Sequence, residues 1–302
     1  MKRKRKWQDF KLFLFVVPGI VLIFLFTYLP LWGWGYAFCK YKPGRSLLES
    51  QFVGWNNFKE LFGNPLMRAN IMRVLRNTFG IQILNYLLSP LPMLFAVLLS
   101  EVRSKKFQKV VQTVSTLPHF ISWVIMYSLA MAMFGGSGLV NSLLQNVGLE
   151  PVGNILNSTE HVWITQVLLQ KWKEVGWSAI VYFAAIAGLD QQIYESAMVD
   201  GAGKMQRIWY ITLPQLIPTF FVLLIISIGS FLNNGVDQFL VFSNALNKEW
   251  IEVLDLYVYN IGIGSGMISY SVVIGMTKSL VAVVLFASAN YLSKKVRGTS
   301  VF

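Results

Sequence analysis

The chain has 302 residues, of which 55% are hydrophobic, 15% aromatic and only 13% charged, and its mean hydropathy is +0.53. A soluble domain of this size carries about a quarter charged residues, so an ordinary soluble enzyme or binding domain is excluded. The formal net charge of +12 would suggest nucleic acid as a partner of a soluble protein. Here the cations concentrate in short segments between apolar runs, where they orient helices instead.

Apolar runs near the length needed to cross a bilayer recur along the chain, about 20 residues each. They are continuous rather than alternating, which points to helices and not to a barrel. The expected fold class is therefore all-α, a polytopic membrane protein forming one transmembrane domain over 1–302. Helices are expected at about 10–38, 75–100, 110–134, 161–187, 215–235 and 271–292. A single cysteine, Cys39, excludes an internal disulfide and a cysteine-built metal site.

The run Lys-Arg-Lys-Arg-Lys at 2–6 precedes the first helix and reads as a topology signal placing the N-terminus in the cytoplasm. No short apolar core with a small-residue cleavage site marks a signal peptide. The next segment faces outward, and its apolar positions 55, 58, 61 and 62 suit a short interfacial helix. It is unusually basic, with Arg68, Arg73 and Arg76 among its cations. Helix two contains Pro90 and Pro92, so a kink is expected. Helix three includes Pro118-His119 and ends at Gly135-Gly136-Ser137-Gly138. Six crossings place both termini and the stretch 189–214 on one side, which holds 15 Lys and Arg against 8 opposite. That bias fits a cytoplasmic assignment for the richer side.

Charges inside a membrane helix are expensive and face an interior or a watery cavity. Lys173 lies 12 residues into helix four, about 18 Å along it at 1.5 Å per residue. Lys171 and Glu174 are three apart and can pair on one face. Trp172 and Trp177 suit stacking on the flat face of a solute, or interfacial anchoring and packing. Asn233, Asn234 and Asp237 give helix five a polar outer end, open to hydroxyl binding or to simple exposure. These eight residues are the candidates for a substrate pathway.

The stretch 189–214 is too polar to span a bilayer, yet apolar helices flank it. Glu195, Ser196 and Ala197 are followed by Gly201, then by Ile211, Leu213 and Pro214. Gly203-Lys204 leads into Met205 and lacks the upstream glycine of a phosphate-binding loop. The pattern resembles the E-A-A-x3-G-x9-I-x-L-P signature of ABC importer permeases, with Ser196 in place of the first alanine. Asn77-Thr78, Ser100-Glu101-Val102-Arg103, Leu117-Pro118-His119-Phe120-Ile121-Ser122-Trp123 and Val253-Leu254-Asp255-Leu256-Tyr257-Val258-Tyr259 extend the likeness over nearly the whole chain. So do Gly138-Leu139-Val140-Asn141 and Trp172-Lys173-Glu174-Val175-Gly176-Trp177. Together they resemble the LplB-type, carbohydrate-uptake branch, departing where Asn244 is followed by Ala245 rather than proline.

The resemblance implies that 189–214 forms two short cytoplasmic helices bent at Gly201, which dock into a groove on an ATPase. Its coupling residues would be Glu195, Ser196, Ala197, Asp200, Gly201, Ala202, Ile211, Leu213 and Pro214. It further implies a second homologous permease subunit, two ABC ATPase subunits, an extracellular solute-binding lipoprotein, and an oligosaccharide as substrate. The chain itself would bind no cofactor, with ATP and Mg held by the partner ATPase, and it would reside in the bacterial plasma membrane with both termini cytoplasmic. An enzyme has little support, because His119 and His161 lack metal spacing and no nucleophile–base pair can be read. The alternatives are an importer permease for another solute such as peptides, or a proton-coupled transporter built on Lys171, Glu174 and Lys278.

Overall fold

A computed structural model describes residues 2–42 and 44–297, with backbone alone at 2–11, 292, 296 and 297. The side chains of the basic run at 2–6 and of Arg297 therefore lie outside the described residues. The protein is helical almost throughout, and among the described residues the only sheet is a two-stranded one. Among the described residues, five helical stretches are long and apolar enough to cross a membrane: Leu12–Phe38, Pro65–Ser100, Trp123–Asn146, Lys204–Ile228 and Ile268–Lys295. The protein is thus a polytopic all-α membrane protein. The expected crossing at 161–187 forms as one uninterrupted helix of 26 residues, but Lys171, Lys173 and Glu174 interrupt its apolar run, so it falls outside the five.

The chain divides into two compact units. The first comprises the residues up to Ala69 together with Val258–Ser279. It opens with α1 (Lys2–Ile23), which passes through a π turn at Phe24–Tyr28 into a 3-10 stretch at Leu29–Phe38. Pro30 has no amide hydrogen to offer an α ladder, and the backbone retightens at that point. The stretch is followed by β1 (Cys39–Lys40), which pairs antiparallel with β2 (Gln51–Phe52). The amphipathic segment expected around 55–62 is α2 (Asn56–Gly63), which buries Asn57 and Leu61. Asn57 Nδ2 donates to the carbonyls of Ala37 at 2.8 Å and Cys39 at 3.0 Å. α2 is thereby clamped to the end of the first long stretch.

The second unit runs from Asn70 to Tyr257 and resumes at Leu280. α3 (Pro65–Leu87) and α4 (Leu91–Ser100) form one long stretch broken at Ser89-Pro90, where the kink was expected. α5 (Lys105–Thr116) starts on Ser104, whose Oγ accepts from the Phe107 amide. The expected continuous helix 110–134 is instead interrupted. A 3-10 turn at Leu117–Phe120 follows α5, and α6 (Trp123–Phe134) begins anew on a Ser122 cap. Pro118 cannot donate to a fourth-preceding carbonyl, which ends α5 there. After α7 (Leu139–Asn146), α8 (Val162–Ala187) packs along both α4 and α5. The approach to α5 is close: a Cβ on Gly176 would fall on the Ser115 carbonyl.

Two apolar clusters hold this unit together. One gathers Ile81, Val167, Phe239, Phe242, Ile251 and Leu256. The other gathers Met93, Val97, Tyr182, Ile208, Leu213 and Leu216. Asn77 is fully buried and donates to the carbonyls of Glu249 (2.9 Å) and Glu252 (3.0 Å). Thr78 Oγ1 accepts from the Leu254 amide at 2.9 Å. The Asn-Thr pair therefore ties α3 to the start of the short helix Leu254–Tyr259 through backbone groups that would otherwise be buried without partners. Arg73 forms an ion pair with the buried Glu252, and Arg76 lies over the Trp250 ring at 4.2 Å. Two cations of the basic segment thus have structural work within the unit.

Candidate functional site

The stretch 189–214 is built from two short helices and a π turn. Asp190 caps α9 (Gln191–Val199), its Oδ1 accepting from the Gln192 amide at 2.9 Å. α9 closes in a Schellman arrangement. The Ala202 amide donates to the Ala197 carbonyl at 2.8 Å, and the Gly201 amide donates to that of Met198 at 3.1 Å. This closure requires a left-handed residue, and Gly201 supplies it with φ +81°. α10 (Lys204–Arg207) then starts at Gly203, whose amide donates to Gln206 Oε1 at 2.7 Å. A π turn at Ile208–Thr212 leads into α11 (Leu213–Ile228), with Pro214 in its first turn, where no amide hydrogen is needed.

One face of this stretch is locked inward. Ile208 and Leu213 are buried in the cluster with Met93 and Tyr182. Tyr194 Oη and Thr212 Oγ1 share a hydrogen bond at 2.9 Å, bracing α9 against the turn that follows. Lys204 Nζ reaches the Glu101 carbonyl at 3.2 Å. The other face is open: Glu195, Ser196, Asp200 and Gly201 are exposed, and Ala197 and Ala202 are half-buried. Around them stand Met198, Val199, Met205, Trp209 and Tyr210, with Val199 87% and Tyr210 81% exposed. Ala197, Asp200, Gly201, Arg207 and Tyr210 border a shallow groove of about 320 Å³. Exposed apolar side chains gathered on two short helices suit contact with a partner. Of the nine residues expected to couple, Leu213 anchors the segment to the core, Ile211 is half-buried, and Pro214 is exposed at the start of α11.

The pathway candidates separate into three settings. Lys173 is buried, and its Nζ donates to the carbonyls of His119 (2.5 Å) and Pro118 (3.1 Å) at the end of the 3-10 turn. A cation there also favours the negative end of the preceding helix. Glu174 is half-buried, and among the described residues it closes no ion pair with Lys171. Trp177 stacks on His119 with centroids 4.4 Å apart and planes 1° from parallel, and Phe120 meets its edge. Lys171 and Trp172 instead line an apolar groove of about 830 Å³ with Leu94, Leu98 and Val114.

Asn233 and Asn234 do not end a helix, because α11 stops at Ile228 and both lie in the irregular segment after it. The amides of Asn234 and Gly235 donate to Asp255 Oδ2 at 2.8 and 3.1 Å. Asp237 is exposed in the first turn of α12 (Asp237–Phe242).

Residues 89–298 match the family described as "binding-protein-dependent transport system inner membrane component". The chain belongs to that family. It is 38% identical to Protein LplB of Bacillus subtilis (strain 168) over 297 residues, covering 97% of this chain and 90% of the relative. It is 40% identical to the polygalacturonan/rhamnogalacturonan transport system permease protein YteP of the same organism, covering 97% and 92%. Among solved structures, a chain of a bacterial alginate ABC transporter, in complex with alginate pentasaccharide-bound periplasmic protein, superposes with TM-score 0.85. It shares 33% identity, and 98% of each chain is covered.

Within this permease the sequence pattern overlooked the amides Gln82, Asn85, Gln166 and Gln170. Asn85 Nδ2 donates to Gln170 Oε1 at 3.0 Å, joining α3 to α8. Gln238 Nε2 donates to the Gln166 carbonyl and to its Oε1, both at 2.9 Å. The signal was available as helical spacing: Gln166, Gln170, Lys173 and Trp177 recur every three or four residues. Uncharged amides draw less notice than lysines in an apolar run.

Proposed function

We propose that the chain is one of two permease subunits of an ATP-driven importer for oligosaccharides, delivered by an extracellular binding protein. The observation that carries this reading is the Gly201 bend. It lies between α9, braced through Tyr194 to Thr212, and α10, which leads into the buried Ile208 and Leu213; it presents exposed apolar side chains and belongs to a chain that matches the family over 89–298. Glu195, Ser196, Ala197, Asp200, Gly201, Ala202 and Ile211 seat on an ATPase subunit, with Leu213 holding the seat to the core and Pro214 in the first turn of α11. ATP and Mg are bound by that ATPase, and this chain binds no cofactor. Six crossings, α8 among them, place both termini and 189–214 in the cytoplasm, at a bacterial plasma membrane.

Acidic sugars are favoured as cargo, since YteP is named for polygalacturonan/rhamnogalacturonan transport and the superposed transporter for alginate; more distant relatives are named for arabinooligosaccharides and lactose. The route passes the Trp177–His119 stack and Glu174. The indole is fixed in orientation by the imidazole, and a carboxylate one turn away accepts hydroxyl hydrogens. The test is reconstitution in proteoliposomes with the second permease, the ATPases and the binding protein. ATP-dependent uptake of a trigalacturonate supports the reading. Uptake that proceeds without ATP, on a proton gradient alone, rejects it.

A further inference from the structure

In the first unit, the end of the first crossing and the start of the last are tied to one small surface. The hairpin of β1 and β2 folds back on the first crossing, where a Cβ on Gly35 would fall on the Leu47 side chain. The Val53 and Gly54 amides donate to the Phe38 carbonyl at 2.8 and 3.1 Å. Ser269 lies in the first turn of the helix Ile268–Arg297. Its Oγ donates to the Cys39 carbonyl at 2.7 Å and accepts from the Tyr41 amide at 3.2 Å. Asn57 holds α2 to the Ala37 and Cys39 carbonyls, and Tyr270 Oη donates to Glu60 at 2.5 Å. Hairpin and α2 therefore sit where two apolar crossings end, at the level of the bilayer headgroups.

Their outer side carries rings and cations together. On α2, Asn57 and Leu61 are buried, while Trp55, Lys59 and Phe62 fall at helical spacing on the opposite face. Trp55 is 63% exposed, and Leu48 in the hairpin loop is 90% exposed. Lys40, Lys42, Arg45, Lys59 and Arg68 are all exposed. Among the described residues, none of these five closes an ion pair or donates a hydrogen bond through its side chain. The two carboxylates between 39 and 69 are already engaged, Glu49 by the Ser46 amide and Glu60 by Tyr270. Under the six-crossing topology, orientation by charge would keep this side poor in Lys and Arg. Their presence asks for a local anion.

We propose that the outer face of α2 and the loop between β1 and β2 bind the anionic headgroups of the surrounding bilayer. Trp55, Phe62 and Leu48 enter the interface, and Arg45 and Lys59 meet lipid phosphate. The membrane is favoured over a protein partner because this surface continues that of the first crossing. Phe38, the last residue of that crossing, packs edge-on against Trp55 with centroids 5.3 Å apart. The contact rests on the crossings at either end and holds whichever solute is carried.

The test uses the full complex in vesicles of phosphatidylcholine, alone or in equal parts with phosphatidylglycerol. A fluorophore is attached at Leu48→Cys or Phe62→Cys, the native Cys39 being buried, and lipids spin-labelled near the headgroup serve as quenchers. The expected result is quenching at both sites, at least twofold stronger with an anionic than with a zwitterionic quencher. Salt should weaken that preference. Lys40→Gln, Arg45→Gln and Lys59→Gln combined should abolish it, with the unfolding midpoint in phosphatidylcholine unchanged. Equal quenching by the two lipids in the parent protein overturns the proposal, as does a preference that survives the triple substitution. Labels reached only by an aqueous quencher, or shielded from lipid and water alike, overturn it too. Protection that appears only with loaded binding protein assigns the surface to that protein and rejects the lipid contact. Trigalacturonate uptake is followed in parallel: its absence in the parent protein strikes the importer reading, while the quenching still reports on this contact.

Discussion

The Lys173 ammonium donates to the His119 carbonyl oxygen at 2.5 Å, so a cation near the middle of α8 closes the end of the 3-10 turn after α5. Its charge is engaged before any ligand arrives. Lys173→Met would leave the His119 and Pro118 carbonyls without this donor. Hydrogen bonds to charged groups contribute about 1.5–3 kcal/mol, and a loss toward the lower end is expected because the methionine avoids burying a charge. The unfolding midpoint of the purified complex should fall, and an unchanged midpoint would remove Lys173 from this role.

Glu174 has no such engagement. Glu174→Gln keeps the shape and removes the charge, so the midpoint should hold while uptake of the oligosaccharide drops several-fold. Normal uptake at normal stability would take Glu174 off the route.

Gly176 marks the closest approach of α8 to α5. In Gly176→Ala the new methyl meets the Ser115 carbonyl and the Thr116 amide, and overpacking of this kind costs roughly 1–3 kcal/mol. Gly203→Ala is the control, because the nearest atom to a Cβ there is Gln206 Oε1 at 3.6 Å. The first variant should lower the midpoint and the second should not; equal behaviour would contradict the packing described.

Asn77 offers a test of the link between α3 and the helix Leu254–Tyr259. Asn77→Leu would strand the Glu249 and Glu252 carbonyls in the core, at roughly 1–3 kcal/mol for each group left unsatisfied. Thermal unfolding of the complex should register the loss, whereas stability equal to the parent would mean that the carbonyls find other donors.

Much of this was legible in the sequence because bilayer physics is strict. A helix must satisfy its own backbone in lipid, so apolar runs map to helices, and α8 and the Ser89-Pro90 kink appear close to where the pattern put them. Proline gave warning at Pro118, yet the run 110–134 stayed apolar across the break, and hydropathy alone does not register a missing amide hydrogen. The Gly201 bend was readable because only glycine adopts its φ cheaply. Asn233 and Asn234 were placed on a helix end because nothing in the sequence shows α11 stopping at Ile228, where tertiary contacts decide. Lys173 drew attention as a charge, but its partners lie 54 and 55 residues away, beyond any local pattern.

Coupling through 189–214 is the central claim, and the most direct measurement is ATP hydrolysis by the reconstituted complex upon adding loaded binding protein. Gly201→Trp puts a bulky side chain on the exposed bend, and Glu195→Lys reverses a charge on the same open face. Both variants should assemble, retain basal hydrolysis, and lose the stimulation and the uptake that depends on it. Gly201→Ala, whose Cβ meets nothing within 4 Å, carries only left-handed strain of about 1–2 kcal/mol and should keep most of the stimulation. Full stimulation and uptake in both Gly201→Trp and Glu195→Lys would contradict the account.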